Sequence, residues 1–169
     1  MFVLPAGFEI RLYRPGDRDR WVEIVSAADS FQTISAATHE AAFGHGAQAL
    51  AERQFFLAAP DGQLVGTATV WRGESGRWQG WGRVHWLAIL PAWQGRGLGK
   101  VLLSATLQRL SELGHTRAYL TTETVRLAAI RLYLRSGFTP DFATAADQAA
   151  WRDLRSRGVP VQIPAEQTT

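Results

Sequence analysis

Leu87-Ala88-Ile89-Leu90-Pro91, followed by Gln94-Gly95-Arg96-Gly97-Leu98-Gly99, is the stretch on which the reading of this chain turns. The first segment closes a near-continuous apolar run, Val84 to Leu90, of the kind a strand covered on both faces requires, and Pro91 stops it. The second is a glycine turn opening a helix from about Leu98 to Leu113. Leu103, Leu107 and Leu110 form one stripe of that helix, Leu98, Val101, Leu102 and Ala105 widen it, and Gly114 holds the C-terminal capping place. Where a buried strand hands over to a helix, unpaired backbone N–H groups and the positive end of the helix dipole converge, which suits a phosphate. Glycine admits close approach of the backbone and positive φ. Three glycines can equally make a plain turn, so the spacing has to discriminate. The G-x-x-x-x-G-K-[ST] loop would need glycine where Gln94 stands and Ser or Thr where Val101 stands, and G-x-G-x-x-G counted from Gly95 would need glycine in place of Lys100. Q-x-x-G-x-G is satisfied by Gln94, Gly97 and Gly99.

Outward from this turn, the C-terminal half continues as β, α, β, α, β. Arg117 to Thr122 reads as a short strand, Leu127 to Arg135 as a helix with Leu127, Ile130 and Leu134 in register, and Phe138 to Phe142 as strand-like after Ser136-Gly137. Asp147 to Arg157 reads as a short helix and Val159 to Ile163 as a terminal strand or extended tail. In the N-terminal half, Phe8 to Arg14 alternates like a half-buried strand and ends at Pro15-Gly16. Asp17 then caps a helix whose face is Trp21, Ile24, Val25 and Ala28. Ser35 to Glu52 reads as broken helix and loop around Gly44 and Gly46. Arg53 to Ala59 and Leu64 to Trp71 form a β-hairpin across Pro60-Asp61-Gly62-Gln63. Arg72 to Gly82, with Gly73, Gly76, Gly80, Gly82, Trp78 and Trp81, reads as a flexible connection.

The length of 169 residues fits one domain. A hydrophobic content of 46% and a charged content of 20% mark a chain that folds. No apolar run reaches the roughly 18 residues of a membrane span, and the start lacks the features of a signal peptide, so a cytoplasmic protein with no membrane partner is expected. The absence of cysteine removes thiol nucleophiles, disulfides and thiolate metal sites, and no His/Asp/Glu spacing suggests a metal. The sequence pI of 9.9 reflects 17 arginines against the single Lys100 rather than a large charge excess, since the net charge is only +3. These arginines are interspersed with acids, as from Arg14 to Arg20, which argues against a nucleic-acid partner.

The two segments quoted first resemble the acetyl-CoA-binding motif of the GNAT superfamily of N-acyltransferases, and Ala129-Ile130-Arg131-Leu132-Tyr133-Leu134-Arg135-Ser136-Gly137-Phe138 is similar to that family's A-x-x-L-Y-x-x-x-G-F segment. The resemblance implies a single α/β (α+β) domain over residues 1–169, with a cofactor-binding core at about 84–142. It implies a mixed, mainly antiparallel central sheet splayed into a V and flanked by helices, with acetyl-CoA as co-substrate. It assigns the diphosphate to the backbone of Gly95, Arg96, Gly97, Leu98 and Gly99 and to Lys100, support of the turn to Gln94, and pantetheine pairing to Leu87, Ala88 and Ile89. The Ile89 amide is the one implied to polarise the thioester carbonyl, where a fixed donor stabilises developing charge. Tyr133 is implied as proton donor to the departing thiolate. Arg126 departs from the family, which often has asparagine there; its guanidinium can approach the cofactor phosphates instead.

An amine with a pKa of about 10.4 is mostly protonated at pH 7, so a base or water relay is useful. Glu123, just past the strand from Arg117, is the first candidate, against a plain helix-start role; His85 is the second, against a core histidine. His39, Glu40 and His45 lie in the segment that would line the acceptor side, with a surface loop as the alternative. Trp78 and Trp81 are candidate acceptor contacts; Trp21, Trp71, Trp86 and Trp93 are explained by packing. The resulting expectation is direct transfer of an acetyl group to a primary amine. A small molecule is preferred to a protein N-terminus or lysine, a non-catalytic acyl-CoA-binding module is the rival, and a homodimer is left open.

Overall fold

Pro60-Asp61-Gly62-Gln63 reverses the chain as read. Gly62 takes φ +84° and its amide bonds Ala59 O at 2.8 Å, which sets β2 (Gln54–Ala58) antiparallel to β3 (Leu64–Arg72). Around this hairpin, β1 (Glu9–Leu12), β4 (Gly82–Ile89) and β5 (Ala118–Tyr119) complete a sheet of order β1-β2-β3-β4-β5, antiparallel except for the parallel β4–β5 pair. The computed structural model describes residues 3–44 and 47–162, in two compact units, Met1–Leu120 and Thr121–Thr169.

The first unit holds the sheet together with α1 (Arg18–Ala28), α2 (Ala36–Phe43), α3 (Ala47–Arg53) and α4 (Leu98–Glu112). Strand side chains alternate between faces. Trp71 meets Phe43 of α2, while a Cβ on Gly66 would stand 3.5 Å from Leu102 of α4, so α2 and α4 cover opposite faces. The face under α1 and α2 is an aromatic core of Tyr13, Trp21, Ile24, Val25, Ile34, Phe43, Leu50 and Phe56. α4 buries Leu98, Leu102, Leu103, Ala105, Thr106 and Leu110, and Thr106 satisfies its hydroxyl on Leu102 O at 2.7 Å.

Ser35 to Glu52 is more regular than the glycines suggest. Ser35 and Thr38 form a reciprocal capping box that starts α2, Gly44 ends it at φ +68°, and α3 follows. Asp17 occupies the position before α1 but does not cap it. Its carboxylate instead accepts from both terminal nitrogens of Arg11, at 2.6 and 2.8 Å, and from the Arg14 amide at 2.6 Å, tying β1 to the start of α1. Burial works to raise the Asp17 pKa, but the hydrogen bonds from Arg11 and Arg14 and their charges prevail and hold it below its ordinary value.

In the second unit, α5 (Leu127–Arg135) matches its reading, and α6 (Ala145–Ser156) begins with a Thr144–Asp147 capping box. Ile130, Leu154 and Val159 form its core, with Leu127, Leu134 and Trp151 packed against them. Phe138 to Phe142 is not a strand. Pro140 offers no N–H, and the carbonyls of Asp141 and Phe142 are taken by Trp151 Nε1 at 3.0 Å and Gln148 Nε2 at 3.4 Å from α6. The expected strand from Arg117 shortens to Ala118–Tyr119. Residues 159–162 form no strand, and Ile163 lies outside the described residues, as does His45.

Candidate functional site

Gly95 and Gly97 stand at φ +75° and +78°, a region that costs an L-residue about 1–2 kcal/mol. A Cβ at either would meet nothing within 4 Å. Among the described residues, the amides of Gly95, Arg96, Gly97, Leu98 and Gly99 meet no backbone acceptor, and Lys100 is the first to turn back, bonding Gly97 O at 3.0 Å. The result is an open row of N–H donors at the N-terminus of α4, with the exposed Lys100 beside it. Gln94 braces the turn by donating from Nε2 to Ile89 O at 2.9 Å. Arg96 folds its side chain back, with Nη2 on Ala92 O at 3.1 Å and its guanidinium 4.7 Å from the Trp93 ring. What Arg96 offers an anion here is its amide.

The edge of β4 next to this turn is open. β5 pairs with β4 only at Gly82↔Ala118 and Arg83↔Tyr119, and from Val84 to Ile89 no β5 residue lies alongside. On the other edge, Leu90 N bonds Val65 O at 2.8 Å; alternation along an antiparallel pair then turns the Ile89 N–H and C=O to the open side, in keeping with the bond from Gln94 to that carbonyl. The strand is also bulged. Thr67 pairs with Ala88 and Thr69 with His85, so β4 spends both Trp86 and Leu87 opposite Ala68. Trp86 sits at φ +51°, an unusual conformation for a bulky side chain. Sequence reasoning missed this bulge, for no glycine or proline interrupts the apolar run to mark it.

The bulge brings His85 and Trp86 to the same aromatic face: His85 lies 5.5 Å from the Phe43 ring and Trp86 lies 5.2 Å from that of Trp21. Burial, aided by the Arg83 charge, lowers the His85 pKa to about 3. A base so weak holds no proton taken from an ammonium at neutral pH, so His85 is a packed, neutral histidine. His39 is not on a surface loop; it is buried on α2 between Trp21 and Phe43, its pKa lowered chiefly by burial. Glu40 pairs with Arg18 at 3.4 Å. Trp78 and Trp81 are occupied at the other end of β4. Trp78 stacks on Tyr119 at 4.6 Å, and Trp81 packs edge-on against Trp78 at 5.1 Å, with Arg77 over the Trp78 ring and Arg117 over that of Trp81.

The first unit thus brings together Leu87 to Ile89 and Gln94 to Lys100. The second holds Glu123, Arg126 and Tyr133. Arg126 stands immediately before α5 and its amide bonds Glu123 O at 3.0 Å, while the Glu123 side chain is exposed. Tyr133 packs edge-on against Phe138 at 6.0 Å; burial raises its pKa above the ordinary phenol value, and the Arg126 charge opposes that rise. The phenol therefore keeps its proton at neutral pH. Among the described residues no cluster of His, Asp or Glu could hold a metal ion, and no helix is long and apolar enough to cross a membrane.

The model of the acetyltransferase (GNAT) family matches residues 20–138, which contain both the glycine turn and the tyrosine segment. The chain belongs to the GNAT acetyltransferase family. Its relatives include a mycothiol acetyltransferase of Streptomyces griseus, 33% identical over an alignment of 147 residues, with 81% of this chain and 45% of that protein covered. A second, from Geodermatophilus obscurus, is 33% identical over 90% of this chain and 50% of its own length. The chain spans about half the length of these curated relatives. Among solved structures, an acetyltransferase from Salmonella typhimurium, determined with its cofactor acetyl-CoA, superposes with a TM-score of 0.63 at 25% identity, covering 79% of this GNAT chain and 80% of that one. The ribosomal-protein-S18-alanine N-acetyltransferase of Escherichia coli shares the fold at a TM-score of 0.65 and 22% identity, over 80% and 79% of the two chains.

Proposed function

We propose that this GNAT chain is an acetyl-CoA-dependent N-acetyltransferase that acts in the cytoplasm on the primary amine of a small molecule, with residues 1–169 serving as one catalytic domain. The observation that carries this reading is the row of unpartnered amides from Gly95 to Gly99 beside the unpaired edge of β4. Those donors fit a diphosphate in charge and in access, because the positive-φ glycines leave the approach open. The edge that Ile89 presents, with its N–H and C=O turned away from β3, suits an amide-bearing arm that lies along the strand at Leu87 to Ile89. Relatives named for mycothiol favour a small-molecule acceptor over a peptide.

Bound acetyl-CoA supplies an activated acetyl group that an amine can attack directly. Within the protein, the Ile89 N–H is proposed as the donor that stabilises charge developing on the acyl oxygen. Tyr133, kept protonated by burial, is proposed as the acid that returns a proton to the thiolate. Glu123 is the proposed acceptor of the amine proton, directly or through water; its exposure suits exchange with solvent better than the half-buried His85 among aromatic rings does. Arg126 is proposed to approach the cofactor phosphates.

Calorimetric titration with acetyl-CoA, followed by a thiol-release screen against amines, peptides and aminoglycosides, tests the reading. Binding that is lost in Gly97→Glu, with thiol release on a small amine, is the expected result. Equal affinity in wild type and Gly97→Glu would refute the phosphate assignment. Binding without thiol release from any acceptor would instead mark a non-catalytic acyl-CoA module.

A further inference from the structure

From Gly95 to Gly99 no backbone N–H meets a backbone acceptor among the described residues, so the turn that presents those donors is not held by their own bonding. Gly95 and Gly97, both at positive φ, add freedom, since glycine has the most backbone entropy to lose. What fixes the shape has to come from side chains, and two supply it. Gln94 donates to Ile89 O on the strand side at 2.9 Å. Arg96 reaches back across Gly95: its Nη2 donates to Ala92 O, four residues earlier, at 3.1 Å, and its Cζ lies 4.7 Å from the centre of the Trp93 ring. Trp93 is anchored in turn. Its amide bonds Leu90 O at 2.8 Å in the 3-10 turn Pro91–Trp93, and its ring meets Phe8 edge-on at 5.7 Å, just before β1 at the far edge of the sheet.

We propose that Arg96 and Trp93 form a clasp that sets the diphosphate turn in its binding shape before acetyl-CoA arrives. Arg96 is then a positioning residue through its side chain as well as a donor through its amide. This rests on the function proposed above. The clasp closes a ring from Ala92 to Arg96 around Gly95, while the second glycine is held by α4, where Lys100 and Val101 bond Gly97 O at 3.0 and 3.3 Å. A guanidinium suits the task because its plane stacks on an indole while its in-plane N–H groups reach a carbonyl, which a compact ammonium does not combine. The sign of the charge suits it too. No acidic residue stands between Arg83 and Glu112, so this stretch braces its turn with a cation on a carbonyl, where an ion pair would bring a carboxylate to the phosphate site. Ordering the turn in advance spares binding that cost, and the saving is read as affinity rather than turnover.

Backbone 15N relaxation of the unliganded protein and calorimetric titration with acetyl-CoA test the clasp separately. Arg96 is exposed, so Arg96→Ala leaves the core alone. In that variant the order parameters of Gly95 and Gly97 are expected to fall from the rigid range of about 0.85 toward about 0.6. The Kd and KM for acetyl-CoA are expected to rise about tenfold, with kcat at saturation moving far less. Trp93→Leu, which leaves the Arg96 charge in place, should give a similar loss, and the double variant no more than either, because the two side chains act as one unit. Arg96→Lys should not restore affinity. Restoration by lysine, or losses that add, would show that Arg96 works by its charge on the phosphates and would overturn the proposal, as would unchanged order parameters in Arg96→Ala. Failure of the unaltered protein to bind acetyl-CoA would instead refute the proposed function, while the relaxation data still decide whether the clasp orders the turn.

Discussion

His85 should make the protein acid-sensitive in a way that a single substitution removes. Its folded-state pKa of about 3 lies far below the roughly 6.5 of an exposed imidazole, because protonation would put a charge into a face built from Phe43 and Trp86 and close to Arg83. As pH falls below about 6.5 the unfolded chain takes up the proton first, so stability is complete above that value and drains away until the folded state also protonates near pH 3. Each pKa unit corresponds to about 1.4 kcal/mol, which gives a loss of about 3 kcal/mol from this one group between pH 7 and pH 4. The assay is urea denaturation of wild type and His85→Phe at both pH values. Phenylalanine keeps the edge contacts and does not titrate. Asp17 and the other acid-sensitive groups are common to both chains and cancel in the comparison. Wild type should lose about 3 kcal/mol more than the variant between the two conditions. An equal loss in the two proteins would show that His85 is not held neutral by its surroundings.

Three further outcomes follow from particular contacts. Asp17→Ala strands the Arg11 guanidinium and the Arg14 amide together, so unfolding free energy at pH 7 should fall by about 2 kcal/mol in chemical denaturation. Gly97→Ala should cost only the roughly 1–2 kcal/mol of a positive-φ L-residue, because its methyl meets nothing; in Gly66→Ala, by contrast, the methyl would stand 2.5 Å from Ile89 Cδ1, and thermal melts should rank the second variant as more damaged. Tyr133→Phe should lower kcat by about a hundredfold or more with acetyl-CoA affinity retained, measured by thiol release.

Much of the fold was legible because its signals are local. The hairpin announced itself through Pro60-Asp61-Gly62-Gln63, and α5 through the register of Leu127, Ile130 and Leu134. The phosphate turn was legible because positive φ and close backbone access both demand glycine, and Gly95 and Gly97 deliver both. What escaped depended on partners distant in sequence. Phe138, Thr139 and Phe142 suggest a strand, but Pro140 and Asp141 interrupt it, and the carbonyls of Asp141 and Phe142 are captured by Trp151 and Gln148, side chains that no periodicity announces. His85 read as a candidate base and His39 as part of the segment lining the acceptor side, and only the aromatic enclosure around each reveals that burial disfavours its charged form. Asp17 stands where a cap belongs and is diverted by Arg11, whose proximity is a product of the pairing of β1.

The surplus residue in β4 also sets which deletion the strand can absorb. Side chains from Gly82 to His85 obey one parity and those from Ala88 onward the other, and removing Trp86 would join them into plain alternation, with His85 still opposite Thr69, Leu87 alone opposite Ala68 and Ala88 still opposite Thr67. Removing a residue on either side of the bulge would instead exchange inside for outside along that half. Position 86 is therefore where the length of β4 can change while the aromatic core and the anion cradle keep their register, with the loss confined to the indole that meets Trp21.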